Sequence, residues 1–512
     1  MVQRLRFLLI HLVASSDWHE SLNGYCARLF SEYENPQTLS PDMEKSFRSS
    51  RRIPPLESEM SGLKLIHVQS VIRHGARALS EEHIERFNME ETIQWDCSFN
   101  ESFMPEEIQQ PPFYKIYDAS PQHNLLKGTC ANGQLLAEGA YQTRILGDIV
   151  REAYFSDNNV FRDKSKSLVD PTTADTSDAF SKLFYVRSTD KPRTKLSGSN
   201  YMSSILKDFT MMGDALPIHT MDAKHETLDP NWVGYCPEID HAYNLSESSP
   251  QKQSLEREND VVRNEVYDAF NANLDGIWPW GVMDMLKCHI CADKVDQLPE
   301  SVRATDEWRQ ELMVRALKAV DAEDMFRFHF NNAAYSKSAM IRPMVEMKSW
   351  FLSAYAEYAS KTAAHNSTLD SLAIEFQERI DDLKRLNRDN LPKFVLFSAH
   401  DYTIMPLLAS LGAWENEAGE FVFPPYASMI NYEYYESKGL YYFRLVYNGE
   451  VITSRISGCE EQAVCDVRTL FTASDFANPA SYATTCLPVE PDDGASLGIL
   501  VLVALFGVVL LI

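Results

Sequence analysis

The chain has 512 residues, 45% of them hydrophobic, enough to bury a sizeable core in one large domain with an insertion or in roughly three smaller ones. Its 73 acidic residues outnumber its 48 basic ones, which gives a formal net charge of -25. This charge repels nucleic acids and anionic membrane surfaces and argues against binding to either. A small anion can bind only where basic side chains cluster locally.

The first residues have the pattern of a secretory signal. Residues 1–16, MVQRLRFLLIHLVASS, combine basic residues, a short apolar run and small residues at a cleavage point. A cytosolic chain with an apolar first helix is the alternative. Residues 17–60 are rich in Ser, Glu and Pro, and we expect an irregular lead-in there.

Strand-like and helix-like segments then alternate along the chain. LKLIHVQSVI (63–72) predicts a strand, NGQLLAEGAYQTRILGDIVREAYF (132–155) an amphipathic helix, and KLFYVRS (182–188) a second strand. The stretch from 189 to 206 begins as a helix, with Thr189 as a candidate cap and Pro192 in its first turn. KFVLFSA (393–399) predicts a further buried strand.

This order predicts an α/β fold with a doubly wound, mostly parallel sheet and helices on both faces. The chain is predominantly helical from about 250 to 390, so we expect a mainly helical cap inserted into the sheet domain. The predicted division is an α/β domain whose two parts are 61–200 and 386–487, with the helical insertion at 201–385.

The last residues predict membrane attachment. Residues 496–512 carry no charge and are long enough to cross most of a bilayer. They are either a minimal type I anchor or a glycosylphosphatidylinositol signal. Membrane attachment and the signal segment together predict a secretory-pathway protein that faces the lumen or the cell exterior.

Cysteines and sequons favour an oxidising, glycosylating compartment. There are nine cysteines, and the candidate glycosylation sites are Asn100, Asn244 and Asn366. The pair in Cys288-His-Ile-Cys291 is compatible with a zinc or redox site, but no second CxxC follows, so we interpret it as a structural disulfide and expect no metal.

Three predicted strands end in groups that attract anions. They deliver, in chain order, Arg73, His74 and Arg77; Arg187; and His400 with Asp401. Because ligands of parallel sheets bind beyond the carboxyl ends of the strands, we expect these side chains to meet. A solvated charged face is the alternative for Arg73 and Arg77 taken alone, and a helix cap is the alternative for Asp401.

A phosphate group suits this set of side chains. Arginine forks match phosphate oxygens, and the positive charge around His74 keeps its imidazole neutral and nucleophilic. His400 could donate a hydrogen bond to phosphate, and Asp401 could protonate the leaving alkoxide. A bound phosphate raises the pKa of Asp401 by repulsion, which favours reaction at acidic pH.

Three motifs, in the same order, resemble those of the histidine acid phosphatases. SVIRHGARAL (70–79) resembles RHGxRxP, VRSTDKPRT (186–194) resembles RSTxxxRT, and FSAHDYTI (397–404) resembles the HD element. The resemblance covers about residues 62 to 487. It implies that His74 becomes phosphorylated, that Asp401 donates the proton, and that no cofactor is needed. The phosphate ligands that it implies are Arg73, Arg77, Arg187 and His400.

Within that family, DMLKCHICADK and WDCSF are most similar to the 2-phosphoxylose phosphatase branch, which acts on a phosphorylated sugar. Family members often dimerise, so the resemblance also implies a homodimer. Leu79 replaces the proline of the signature, and Met429 stands where prostatic-type enzymes have a cysteine. The resemblance then implies the disulfides Cys288–Cys291, Cys236–Cys486, Cys459–Cys465 and Cys97–Cys130, and leaves Cys26 unpaired.

The sequence therefore predicts a metal-independent acid phosphatase that acts on phosphate monoesters through a phosphohistidine. The alternative is a catalytically silent, membrane-anchored surface protein that uses the same fold to bind a ligand. Retention of Asp401 argues against that alternative, because a binding protein needs no proton donor.

Overall fold

The computed structural model describes residues 26–27, 40–57, 60, 62–80, 87, 94–95, 97, 127–155, 183–208, 216–230, 236–273, 275–292, 294, 298, 307–416 and 419–485. The strands of the main sheet are β1 (Lys64–Arg73), β4 (Phe184–Ser188), β5 (Ile218–His219), β6 (Phe394–Ala399), β7 (Met429–Ser437), β8 (Leu440–Tyr447), β9 (Glu450–Val451) and β10 (Cys465–Asp466). Two short strands, β2 (Gln94–Trp95) and β3 (Lys127–Gly128), pair separately.

The described residues also form a series of helices. Before the long helix they are α1 (Pro41–Arg51), α2 (Ala137–Val150), α3 (Pro192–Ile205), α4 (Pro237–Glu247), α5 (Pro250–Phe270) and α6 (Trp280–Cys291). The long element α7 (Glu307–Thr362) is broken near Asn331 and Asn332, which both have positive φ. After it come α8 (Ser367–Glu375), α9 (Gln377–Leu386), α10 (Asp401–Ser410), α11 (Val467–Ala473) and α12 (Pro479–Thr484).

The fold is α/β, and its main sheet has a parallel half and an antiparallel half. Its strand order is β10-β8-β7-β1-β6-β4-β5, and β1, β6, β4 and β5 are parallel. On the other side of β1, the strands β7, β8 and β10 are antiparallel. The sheet is thus mixed rather than mostly parallel. Lys438 and Gly439, both with positive φ, make the tight turn that joins β7 to β8 as a hairpin.

Both faces of the sheet are covered, as the sequence predicts. Phe394 and Leu396 of β6 belong to the cluster that packs against α2 and α3. Val395 and Phe397 belong to the second cluster, which includes Trp350 of α7. Alternate residues of one strand therefore enter two hydrophobic layers, which is the packing of a doubly wound sheet.

One expectation, about the segment before β1, differs from the structure, and another, about the helical stretch, stays a prediction. The lead-in expected to be irregular contains α1, which Ser40 caps through the backbone N–H of Met43. Helices α4 to α9 follow one another between β5 and β6. Their independence as a cap domain with boundaries at 201 and 385 stays a prediction.

Three disulfides join described cysteines. Cys97–Cys130 and Cys459–Cys465 are the predicted pairs. The predicted pair Cys288–Cys291 is wrong, because Cys291 is bonded to Cys26 and Cys288 is a buried free thiol. Residues three apart share one side of a helix, so the spacing on α6 does not decide the pairing. Cys288 contacts Arg77 and Tyr426, whereas Cys291 meets Cys26. Disulfides form in oxidising compartments, which indicates a secretory-pathway protein.

Several predicted features lie outside the described residues. They are Cys486, the expected partner of Cys236; the glycosylation site Asn100; the signal segment 1–16; and the apolar segment 496–512. Within the part of the chain that is described, no helix is both long and apolar enough to cross a bilayer. Asn244 is exposed on α4, whereas the side chain of Asn366 caps α8.

The disulfide assignment predicts different stabilities for two serine variants. Cys291→Ser should lower the free energy of unfolding by roughly 2–5 kcal/mol, because the lost bond closes a long loop. Cys288→Ser should change it much less, since no disulfide is lost. Urea unfolding of both variants checks this expectation. Equal destabilisation would indicate that the two cysteines are bonded to each other.

Candidate functional site

Two histidines lie side by side where β1 and β6 end. Arg73, the last residue of β1, pairs in register with Ala399, the last residue of β6. His74 and His400 directly follow these two strand ends. The backbone N–H of His74 donates to the carbonyl of Ala399. The ring centroids of the two histidines are 5.5 Å apart in an edge-to-face arrangement. Parallel pairing therefore brings the RHG and HD elements together, although 326 positions separate their histidines (74 and 400).

The loop after His74 is fixed by hydrogen bonds from the helices. The side chain of Gln142 accepts from the N–H of Ala76 at 2.8 Å, and Ser197 Oγ accepts from the N–H of Gly75 at 3.3 Å. Gln142 Nε2 also donates to the carbonyl of Cys26 at 2.8 Å. The loop is therefore held by α2 and α3 before any ligand arrives.

Gly75 is required for close backbone packing against α2. A Cβ atom there would lie 2.2 Å from the carbonyl oxygen of Gly139 in α2. Reciprocally, a Cβ on Gly139 would lie 2.2 Å from the carbonyl oxygen of Ala76. Side chains at either position would force the loop away from α2.

His74 is held in one tautomer with a lone pair available. Its Nδ1 lies 2.8 Å from the carbonyl oxygen of Gly75, which can only accept a hydrogen bond, so Nδ1 carries the proton and Nε2 does not. Burial holds the pKa of His74 well below its usual value of 6.5, and the nearby charges of Arg193 and Arg73 lower it further. The neutral imidazole is the nucleophilic form.

His400 is also buried and neutral. Its Nε2 lies 2.9 Å from Thr189 Oγ1 and 3.7 Å from an oxygen of Asp229. Burial, followed by the charges of Arg193 and Lys191, lowers its pKa well below 6.5. The N-cap of α3 is Lys191, so the expected capping role of Thr189 is replaced by this contact with His400.

Arg73 forms an ion pair with Asp401, the expected proton donor. Its Nη2 lies 2.8 Å from Asp401 Oδ2, and its guanidinium stacks 4.2 Å from the ring centroid of Tyr426. It also donates to the carbonyl of Pro424. Asp401 begins α10, where its other oxygen accepts from the N–H of Tyr402 at 2.9 Å.

Arg77 is paired with an acid from the helical stretch. Its Nη2 lies 2.6 Å from Asp284 Oδ1, and its Nη1 donates to the carbonyl of Ala78 and to Ser80 Oγ, both at 3.1 Å. Its buried Nε–H has no hydrogen-bond acceptor among the described residues. An anion in the site could accept a hydrogen bond from this N–H.

Arg187 does not join the other predicted residues. Its guanidinium forms ion pairs with Glu226, at 2.7 Å, and with Glu346 of α7. Arg187 has the same strand parity as Tyr185, whose ring packs 4.6 Å from Trp350, so both point toward α7. Two carboxylates already neutralise it, which argues against its expected role as a phosphate ligand.

Arg193 is the basic residue that the sequence prediction missed. It follows Pro192 in the first turn of α3, and among the neighbouring charges its own lowers the pKa of both His74 and His400 the most. Burial and the neighbouring charge of Arg77 lower its own pKa to about 10. The signal was present in KPRT, because a proline at N1 puts the next residue at the helix start, beside the strand ends.

Arg193 differs from the other site arginines in its ion pairing. In the described part of the chain, no carboxylate lies within salt-bridge distance of its guanidinium, and its buried Nε has no acceptor. The described residues also contain no group of three or more His, Cys, Asp or Glu side chains that could hold a metal ion. The site is therefore a buried cluster of guanidinium groups around two neutral imidazoles.

Comparisons with known proteins agree with this geometry. A model of the histidine phosphatase superfamily (branch 2) matches residues 64–448. Counting factor 60 of Dictyostelium discoideum is 23% identical over 459 residues, which cover 86% of this chain and 93% of that protein. Lysosomal acid phosphatase of Bos taurus is 25% identical over 333 residues, 63% of this chain and 64% of the relative. 2-phosphoxylose phosphatase 1 of Xenopus tropicalis is 32% identical over 107 residues, 18% and 20% of the two chains.

The two arginines of the VRSTDKPRT motif should respond differently to substitution. Arg193→Gln should weaken the binding of inorganic phosphate roughly tenfold or more, because a charge-assisted hydrogen bond is lost. Arg187→Gln should lower the free energy of unfolding by roughly 3–5 kcal/mol, because two buried carboxylates lose their cation.

Calorimetric titration with phosphate and urea unfolding measure the two effects. Arg193→Gln should keep most of its stability, since the guanidinium that it removes has no carboxylate within salt-bridge distance among the described residues. Loss of phosphate binding in a stable Arg187→Gln, with normal binding in Arg193→Gln, would reverse the assignment.

Proposed function

The chain belongs to the histidine phosphatase superfamily (branch 2), and we propose that it hydrolyses phosphate monoesters through a phosphohistidine formed on His74. The observation that carries this proposal is the buried guanidinium of Arg193 beside the free Nε2 of His74. Among the described residues no carboxylate lies within salt-bridge distance of this buried cation, which is unfavourable, and a phosphate dianion supplies a direct partner. The match to acid phosphatases supports the same chemistry.

In the proposed phosphate site, four side chains bind the oxygens of the phosphoryl group. They are Arg73, Arg77, Arg193 and His400. Arginine forks fix the orientation of those oxygens and balance the charge that spreads over them in the transition state. His400 is neutral and donates a hydrogen bond rather than a charge. Arg187 lies outside this set because Glu226 and Glu346 bind its guanidinium.

In the first step, Nε2 of His74 attacks phosphorus and the ester oxygen leaves. Asp401 gives its proton to that oxygen, so that an alcohol departs and the phosphoryl group remains on His74. The proton on Nδ1 stays bonded to the carbonyl of Gly75 and stabilises the imidazole as positive charge develops. Every group that this step needs belongs to the chain or the substrate.

In the second step, water attacks the phosphohistidine. The Asp401 carboxylate takes a proton from that water, the bond from phosphorus to Nε2 breaks, and inorganic phosphate leaves. Asp401 Oδ2 lies 2.8 Å from Arg73 Nη2. Phosphate that binds Arg73 competes with Asp401 for this guanidinium, which releases the carboxyl group for proton exchange with the ester oxygen and then with water.

For the leaving group we propose a sugar hydroxyl. The similarity to 2-phosphoxylose phosphatase 1 supports this choice, although it extends over only 107 residues. The alternative, a silent binding protein, would leave the free nucleophilic nitrogen of His74 and the adjacent acid Asp401 without a purpose. The geometry of these two groups therefore favours an enzyme.

For the cellular location we propose a lumenal or extracellular site of action with glycosylation and membrane attachment. The disulfides and the lysosomal relative support passage through the secretory pathway. The charge-free residues 496–512 support membrane attachment, and the exposed Asn244 supports glycosylation at that sequon. A homodimer remains a proposal from family resemblance.

His74→Ala should abolish hydrolysis of an aryl phosphate. The wild-type enzyme should hydrolyse the same substrate at acidic pH in the presence of EDTA. Because the pKa of His74 lies below 6.5, its imidazole stays neutral as the pH falls through the range in which an ordinary histidine is protonated. The pH profile of kcat/KM should therefore show no acid limb near pH 6.5. A fully active His74→Ala would contradict the mechanism.

Asp401→Asn should slow the hydrolysis of alkyl phosphates much more than that of aryl phosphates, because a phenolate leaves without much protonation. Steady-state kinetics with a matched alkyl and aryl pair measures the difference. If both substrates slow equally, Asp401 positions Arg73 or α10 and does not supply the proton.

A further inference from the structure

Asp284 is a buried acid whose two oxygens bind two points of the loop that carries Arg77. It lies on α6, in the helical stretch, and is 4% exposed. Oδ1 accepts from Nη2 of Arg77 at 2.6 Å, and Oδ2 accepts from the backbone N–H of Ser80 at 3.0 Å. One carboxylate thus fixes both the guanidinium and the chain three residues beyond it.

The next turn of α6 contacts the same guanidinium. Cys288 Sγ lies 3.5 Å from Nη1 of Arg77, 3.5 Å from Asp284 Oδ1 and 3.7 Å from the hydroxyl of Tyr426. Burial raises the pKa of this thiol to about 12, so Cys288 is a neutral packing partner here. Asp284 is accordingly the group from α6 that carries charge to Arg77.

These contacts leave one edge of Arg77 for a ligand. Its Nη atoms bond to Asp284, Ala78 and Ser80, whereas its Nε–H has no acceptor among the described residues. Backbone hydrogen bonds to residues 133–136 hold residues 76–79 of the loop. On this fixed backbone, the contacts of the two Nη atoms set the direction of the guanidinium.

We propose that Asp284 is a positioning residue that aims Arg77 at the substrate phosphate, so that the helical stretch completes the phosphate site. The inference rests on the proposed function, because it takes Arg77 to be a phosphate ligand. Asp284 acts through Arg77 and does not touch the reacting atoms. Its loss leaves the charge of Arg77 in place but removes the contacts that hold its Nη2 and the backbone N–H of Ser80.

A double-mutant cycle on phosphate affinity tests this inference. Asp284→Ala should weaken binding of inorganic phosphate roughly tenfold or more, because a fixed, charge-assisted contact becomes a mobile one. In an Arg77→Ala background the same substitution should have almost no further effect, since the guanidinium that it positions is absent. Asp284→Glu should recover part of the affinity, and Asp284→Asn is the near-isosteric variant if the alanine variant does not fold.

The matched control is Glu265→Gln. Glu265 also lies in the helical stretch, where it pairs with Arg315 at 2.5 Å, so the substitution removes an ion-paired carboxylate without touching the site. Phosphate affinity should be unchanged in this variant. Thermal unfolding of every variant separates loss of fold from loss of orientation.

Calorimetry with inorganic phosphate reports on Asp284 whether or not the protein turns over substrate. Affinity within twofold of wild type in both Asp284→Ala and Asp284→Asn would overturn the inference. An equal loss in the wild-type and Arg77→Ala backgrounds would also overturn it, because the effect would then be independent of Arg77. Failure of the proposed function would instead appear as no aryl phosphate hydrolysis by the wild-type protein.

Discussion

The site depends on the neutralisation of guanidinium groups that the fold buries at the carboxyl edge of its parallel strands. Arg73 is paired with Asp401 and Arg77 with Asp284, and these acids lie far apart in the sequence. Arg193 is brought to the same place by the first turn of α3 without such a partner among the described residues. A buried cation without a close carboxylate partner is costly, so an anion that bridges the arginines stabilises the arrangement.

The same charges determine the chemical state of the histidines. Burial and nearby guanidinium groups keep His74 and His400 neutral at a pH where a free imidazole is protonated. The hydrogen bond from Nδ1 of His74 to Gly75 then leaves Nε2 as the nucleophile. Binding and nucleophilic attack thus have one electrostatic origin, which accounts for an enzyme that works in acidic surroundings without a metal.

Much of this site could be predicted because strand ends are visible in the sequence. The apolar runs before Arg73 and His400 identify β1 and β6, and parallel pairing places their ends together. The sequence could not distinguish Arg187 from Arg193, because the distinction depends on the face of β4 from which Arg187 emerges and on where the first turn of α3 places Arg193. Arg187 points toward α7, where Glu346 meets it, and a single sequence does not locate that distant acid.

Two other features depended on tertiary contacts that the sequence patterns do not contain. Cysteine spacing alone does not define connectivity, so Cys26 and Cys291 could not be paired before the position of α6 was known. The antiparallel half of the sheet depends on the pairing of β7 with β1, which are distant in the sequence, and the turn at Lys438 and Gly439 then adds β8. These features surround the site and were not needed to locate it.

The most direct test of the account is a crystal structure with bound vanadate, which adopts the geometry of the transferred phosphoryl group. We expect vanadium to lie against Nε2 of His74, with its oxygens bound by Arg73, Arg77, Arg193 and His400 and with Asp401 near the apical oxygen. Arg187 should remain paired with Glu226 and Glu346. Vanadate bound by Arg187, or bound away from His74, would contradict the central claim.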